Sequence, residues 1–264
     1  MSPRPSVLLV VAGALIAAPP PTPGLAQEAP GPAGWLQAAG FYHRVTDDFG
    51  DWKGFALNLV APAGRRDIWY AEVVLREAFN DQGAYASLGN RHGFGDWFTL
   101  LSVGGGTGEF IHPDLRADFT LGKAWLSRRN LVTMAGVTYV NAKLGFEDVA
   151  AFGSLALYFP GVVVEAGGRA NWSYPGAVEA SRGFGAITLG RERRRYVILR
   201  GSAGWEGYQL TGVVTTQRRF RSYEASLAWR EWLGGKVGFF LQGEWYDNSF
   251  YTRTGATVGV FRHW

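Results

Sequence analysis

Side chains alternate in character along much of this chain. In the segment 236–247, Val237, Phe239, Leu241 and Trp245 share one parity while Phe240, Gln242, Glu244 and Tyr246 share the other. Trp69, Ala71, Val73 and Leu75 alternate in the same way with Tyr70, Glu72, Val74 and Arg76. A period of two marks strands with one apolar and one polar face. The pattern predicts strands over 34–45, 52–61, 68–79, 83–90, 96–105, 115–126, 130–141, 149–159, 162–172, 182–191, 194–206, 217–231, 236–246 and 251–264. Fourteen is an even count, as single-chain bacterial membrane barrels require. Even-numbered connections are short, such as 160–161 and 234–235. Several odd ones are longer, at 105–114, 143–149, 174–182 and 206–215. That matches short periplasmic turns and longer outward loops. Removing one hairpin preserves the parity, so twelve strands remain an alternative.

A β-sandwich yields the same alternation. The two architectures differ in which face meets solvent, since a membrane barrel turns its apolar face to lipid and its charges to the lumen. The end of the chain favours closure. Its last residues, GATVGVFRHW, alternate to the final position, with Ala256, Val258, Val260 and Trp264 on one face and Arg262 interrupting it. This resembles the assembly signal of outer-membrane barrels and implies the barrel-assembly machinery as a partner, with Val258, Val260 and Trp264 carrying the signal. Trp35, Trp52, Trp97, Trp125, Trp172, Trp205, Trp229, Trp245 and Trp264 fall near strand ends. There they are expected to form interfacial belts against outer-membrane lipid and lipopolysaccharide.

The N-terminus adds a compartment. Arg4, an apolar stretch from Val7 to Ala18 and the small residues of Gly24-Leu25-Ala26 read as a secretory signal peptide over 1–26. A linker follows at 27–33, then the barrel at 34–264. The apolar stretch is shorter than the ~20 residues of a spanning helix. With no cysteine, the chain has no disulfide, thiol ligand or lipid-modified cysteine. The 37 glycines and 39 aromatic residues (Trp 11, Tyr 11, Phe 17) suit many short strands and tight turns. The expected fold is therefore all-β, a transmembrane antiparallel up-and-down barrel in the cell outer membrane.

Several stretches carry a family resemblance: TDDFGDWKGFALNL at 46–59, FGDWFTLLSVGGGTGEFIHPDLRADFTLGK at 94–123 and GSAGWEGYQL at 201–210. They resemble the YaiO family of bacterial outer-membrane β-barrel proteins over roughly 35–264. The resemblance implies an outer-membrane location and brings no enzymatic activity or catalytic residues. Some relatives follow a helical repeat region and are associated with exopolysaccharide systems; no such region is read in this sequence.

The inward parity collects Glu72, Arg76, Arg116, Asp118, Glu165, Arg169, Arg200, Glu224, Arg230, Glu244 and Arg253. Tyr70, Phe240, Tyr246, Tyr251 and Phe261 share that face. Charges of both signs can pair across neighbouring strands and fill the lumen. Alternatively they line a narrow porin-like channel, in which rings beside polar groups suit a saccharide or an exopolysaccharide component. Of the four histidines, His112 in FIHPDLRAD, with Asp114 and Asp118 nearby, is the best candidate for hydrolytic chemistry. No nucleophile motif accompanies it, so no enzyme is expected. Neither a zinc-type histidine pair nor a phosphate loop is present. GGGTG at 104–108 lacks the lysine and helix such a loop needs, and no cofactor or metal is expected. The net charge of +4 rests on cations in predicted turns, GRRD and RERRR, and implies no nucleic-acid partner.

Overall fold

A computed structural model of the chain describes residues 34–47, 49–209 and 217–264. The expected signal peptide, the linker and most of the 206–215 connection lie outside them. Fourteen strands follow in order: β1 Trp35–Val45, β2 Trp52–Ala63, β3 Asp67–Ala78, β4 Asp81–Phe94, β5 Trp97–Gly106, β6 Leu115–Trp125 and β7 Leu131–Asn141. After a short 3-10 turn at Lys143–Gly145 come β8 Glu147–Phe159, β9 Val162–Tyr174, β10 Val178–Arg191, β11 Arg195–Gln209, β12 Gln217–Leu233, β13 Val237–Asn248 and β14 Thr252–His263. Every strand pairs antiparallel with its chain neighbours, and β14 returns to β1 to close the barrel. Closure runs from Trp35↔His263 to Val45↔Arg253. The Trp264 amide then donates to the Gly34 carbonyl at 3.1 Å, so the pairing reaches the last residue. Leaving that edge unpaired would expose a full row of backbone groups in lipid, where nothing can satisfy them. Fourteen strands, not twelve, form the wall.

The apolar faces point outward. Leu101, Leu199 and Val260 are 57–59% exposed, a burial pattern inverted relative to a sandwich and suited to a lipid-facing surface. Trp97, Trp125, Trp229, Trp245 and Trp264 stand on this outer face near strand ends. The Lys123 ammonium lies between two of them, 4.7 Å from the Trp97 ring and 3.8 Å from the Trp125 ring. Two expected belt residues are corrected by register. Trp35 shares its face with Ala39 and His43, and Trp52 shares its face with Val60, so both point into the lumen. Trp52 is 5% exposed.

Two strands run well beyond their expected ends. Strand β4, expected at 83–90, runs from Asp81 to Phe94 because Asp81 and Gln82 pair with β3 and Arg91–Phe94 pair with β5, with Gly83, Gly89 and Gly93 all in the ladder. Strand β10 starts at Val178 because Val178–Ala180 pair with Asn171–Ser173, leaving only a tight turn in the predicted loop at 174–182.

The paired glycines serve close approach. Six inward aromatic rings sit directly across from a glycine on the adjacent strand: Phe41↔Gly54, Phe98↔Gly122, Phe152↔Gly136, Phe184↔Gly167, Phe261↔Gly238 and Phe240↔Gly259. A Cβ at any of these glycines would run into the facing ring. Each ring therefore lies down along the wall over its glycine, covering backbone a side chain would otherwise cover. Gly122→Ala tests this arrangement, because the nearest atoms a Cβ would meet at this position all belong to the Phe98 ring. Displacing a packed ring costs about 1–3 kcal/mol. The variant is expected to lose stability by that amount in urea unfolding followed by tryptophan fluorescence.

Candidate functional site: the lumen

Of the sixteen inward-facing residues singled out in the sequence, fifteen lie on the lumen side of their strands, and Tyr251 packs inward from the turn before β14. They fall into a cap, a charged belt and a terminal collar.

The cap closes the end opposite the termini. Val45, Trp52, Ala78, Phe79, Phe110, Phe220, Tyr246 and Tyr251 pack together, with Phe49, Ile111 and Phe250 against them. Trp52 meets Phe79 edge-on at 4.8 Å between centroids, and Phe49 meets Tyr251 at 5.4 Å. Two features bring these rings inward. The β3–β4 turn places Phe79 and Asn80 at φ of 55° and 61°, the left-handed geometry of a two-residue hairpin turn. Asp81 then captures the β5–β6 loop. Its Oδ1 accepts the amides of Gln82 (2.8 Å) and Glu109 (3.1 Å), and its Oδ2 those of Phe110 (2.8 Å) and Ile111 (3.1 Å).

His112, in the same loop, is 5% exposed and stacked on Tyr85, with 5.7 Å between centroids. Burial first, and then the Arg76 cation, push its pKa down to about 4, so the ring is neutral at neutral pH. The acids considered beside it are engaged elsewhere. Asp114 pairs with Lys143, while Asp118 accepts from Arg116, Thr138 and Ser102. No His112–carboxylate hydrogen bond occurs among the described residues.

The belt mixes paired and unpaired charge. Arg116 and Asp118 are 2.8 Å apart. His43 Nε2 lies 2.8 Å from Glu244, which also accepts from Gln242 at 2.8 Å. Arg182 bridges Glu206 at 2.7 Å and Glu224 at 3.1 Å, and donates to Ser202 at 2.8 Å. Glu72 lies in the field of Arg76 and Arg116, and Glu165 in that of Arg200, without direct contact.

Four other inward arginines share a different construction. Arg76 lies over Phe41 (5.7 Å from guanidinium carbon to ring centroid), Arg91 over Phe98 (4.4 Å), Arg200 over Phe184 (4.5 Å) and Arg230 over Phe261 (3.9 Å). Each of these rings is one that lies on a cross-strand glycine, giving a stack of glycine, phenylalanine and arginine repeated around the wall. Arg253 rests on Trp52 (4.2 Å) and Tyr246 (5.1 Å). None of these five has a carboxylate within 4 Å among the described residues. Arg169 is held by Asn171 at 3.4 Å. A ring beneath a guanidinium stabilises it by about 0.5–2 kcal/mol and leaves its N–H edges available.

The collar at the terminal end packs Tyr196, Trp232 and Phe261 around Arg230. Tyr70 is half-buried on β3, while Phe240 lies on Gly259. Sequence reading missed His43, Arg91, Arg182, Glu206 and Trp232 as lumen residues. Strand parity could have supplied Arg182, which shares a face with the buried Ala180 and Ala186.

Solved structures with this fold include a bacterial polysaccharide outer membrane secretin (TM-score 0.59, 7% identity, covering 88% of this chain and 98% of that one). Omp33 of Acinetobacter baumannii is also similar (0.55, 8%, covering 89% and 100%). So is OmpT of Vibrio cholerae, folded in vitro (0.51, 6%, covering 88% and 96%). At these identities the likeness is one of fold, an outer-membrane barrel. A comparison with curated proteins finds no match. The family model described as the YaiO membrane beta barrel domain matches residues 36–209, and the chain belongs to that family.

Proposed function

We propose that the barrel is a narrow channel for a polar solute, with saccharides the class that fits best and exopolysaccharide export the setting that would use it. The observation that carries this reading is the repeated stack of glycine, phenylalanine and arginine. Rings lying flat on glycines keep the lumen from filling, and guanidinium edges without carboxylate partners offer donors to the oxygens of a passing solute. A lumen built only to be solid would pair its charges, since unpaired buried charge is costly. The structurally similar polysaccharide secretin is compatible with this setting at the level of fold.

The cap favours a second reading, a barrel closed at rest that docks or awaits a partner. Catalysis is not part of either proposal, because His112 is stacked without an acid partner. The outward Val258, Val260 and Trp264 are proposed to present the assembly signal.

Single-channel recording of the refolded barrel in planar bilayers tests the channel. Stable conductance steps that added oligosaccharides block are expected. A folded barrel that never conducts, even when its cap is loosened, would leave the docking role.

A further inference from the structure

Cations gather at the terminal end of the barrel, while the loop end carries both signs. Loop-end acids include Asp51, Asp81, Asp114 and Glu147, whereas the terminal end is rimmed by arginine-bearing turns. One recess there lies between the β10–β11 and β12–β13 turns and is lined by Arg191, Arg193, Arg194, Arg195, Glu231 and Trp232. Its one acid is already engaged: Glu231 Oε2 lies 3.4 Å from Arg195 Nε and accepts from Trp229 Nε1 at 3.1 Å. Across the mouth, a second recess is lined by Arg65, Arg66, Arg91 and Arg129, and its Asp96 is bound by Arg129.

The first recess lies on the rim and is lined from both registers, with Arg195 and Glu231 on the outer one and Trp232 on the inner one. Trp232 forms its floor, and its amide is fixed to the Arg194 carbonyl at 2.9 Å. Arg194 continues the inward parity of Tyr196, Ile198 and Arg200. Behind Trp232 stands Arg230, with its Nε and one terminal nitrogen buried and without hydrogen-bond partners. Cations thus extend from the rim to the first glycine–phenylalanine–arginine stack. Exposed charges act only over about 8 Å at physiological salt, so the arginines serve one local ligand and not long-range steering.

We infer that this recess is an entry site for an acidic saccharide, a uronate-bearing chain whose carboxylates meet Arg193 and Arg194 before it passes Trp232 toward Arg230. The inference rests on the channel reading and names its substrate class and its entry end. Arginines clustered over an aromatic floor suit planar carboxylates on a sugar chain better than they suit neutral sugar. Anionic lipid headgroups are the competing occupant. They would meet Arg191 and Arg195 on the outer register, whereas Arg194 lies on the inner register with Trp232, which is why the site is placed at Arg193 and Arg194.

Binding is measured by calorimetry on the full barrel in phosphatidylcholine nanodiscs, with a hexuronate oligosaccharide and its neutral hexose counterpart as probes. The hexuronate is expected to bind at least tenfold more tightly than the hexose and to weaken with salt. Arg193→Glu with Arg194→Glu is expected to weaken it at least tenfold, whereas Arg44→Glu, on the outer face at the opposite end, leaves it unchanged. Resistance to gel unfolding confirms that each variant is folded. Equal binding of the neutral sugar, insensitivity to the double reversal, or loss of binding when phosphatidylglycerol is added to the nanodisc would each overturn the inference. The assay needs no open pore, so a conducting barrel that ignores uronate refutes this site and leaves the channel standing.

Discussion

Asp81→Ala is expected to make the barrel's openings in planar bilayers more frequent and longer than those of the parent. Among the described residues Asp81 is the acceptor for the amides of Glu109, Phe110 and Ile111, and those bonds draw Phe110 and Ile111 into the cap. A hydrogen bond to a charged acceptor contributes about 1.5–3 kcal/mol. Water replaces part of that when the loop lifts, so about 3 kcal/mol of docking energy is at stake for the three loop bonds. At 1.4 kcal/mol per factor of ten, the docked fraction should fall on the order of a hundredfold. Asp81→Asn is a graded control. It keeps one oxygen acceptor where the carboxylate has two, so it can serve either the Gln82 and Glu109 amides or those of Phe110 and Ile111, but not all four. Its opening frequency should fall between those of the parent and the alanine variant. Hydrogen exchange at residues 109–111 should accelerate in the same order. If exchange accelerates while conductance stays flat, the cap is not the barrier, and the docking role gains instead.

The wall of this protein was legible in its sequence to a degree that its interior was not. Period-two alternation places a residue on a face without reference to any other strand, so Glu72, Arg116, Glu244 and Arg253 could be assigned inward one strand at a time. The contents of the lumen depend on register, which alternation does not supply. Phe98 meets Gly122 because β5 and β6 pair at that offset, and Arg91 covers the ring from β4. Moving one strand by two residues would preserve every alternation and abolish the stack. Trp35 and Trp52 show the opposite error, since their position near strand ends suggested a lipid belt while the parity of their own strands placed them inside. The cap escaped for another reason. Strand ends give it Trp52, Phe220 and Tyr246, but Phe49, Phe79, Phe110 and Phe250 come from loops, whose rings carry no periodicity; Asp81 and its four amides show why Phe110 comes inward.

Arg182→Ala should produce the largest loss of stability among single substitutions in the belt. Arg182 joins three strands, donating to Glu206 and Ser202 on β11 and to Glu224 on β12 from its own place on β10. Its side chain is 13% exposed, and those of the two glutamates are 18% and 25%. Removing the cation leaves two carboxylates facing each other with little water to separate them, and breaking a buried pair in this way costs about 3–5 kcal/mol. Urea unfolding in detergent should register that loss. The penalty comes from the stranded anions and not from a missing guanidinium contact, so neutralising them should recover it. The triple variant Arg182→Ala, Glu206→Gln, Glu224→Gln is expected to regain most of the stability, because each glutamine can still donate and accept among Ser202, Ser222 and Tyr246. If the triple variant is no more stable than Arg182→Ala alone, Arg182 acts through packing. In that case the Arg182 cluster is a filler of the lumen and not a charge-balanced lining, and a solute would be met chiefly by the arginines stacked on rings.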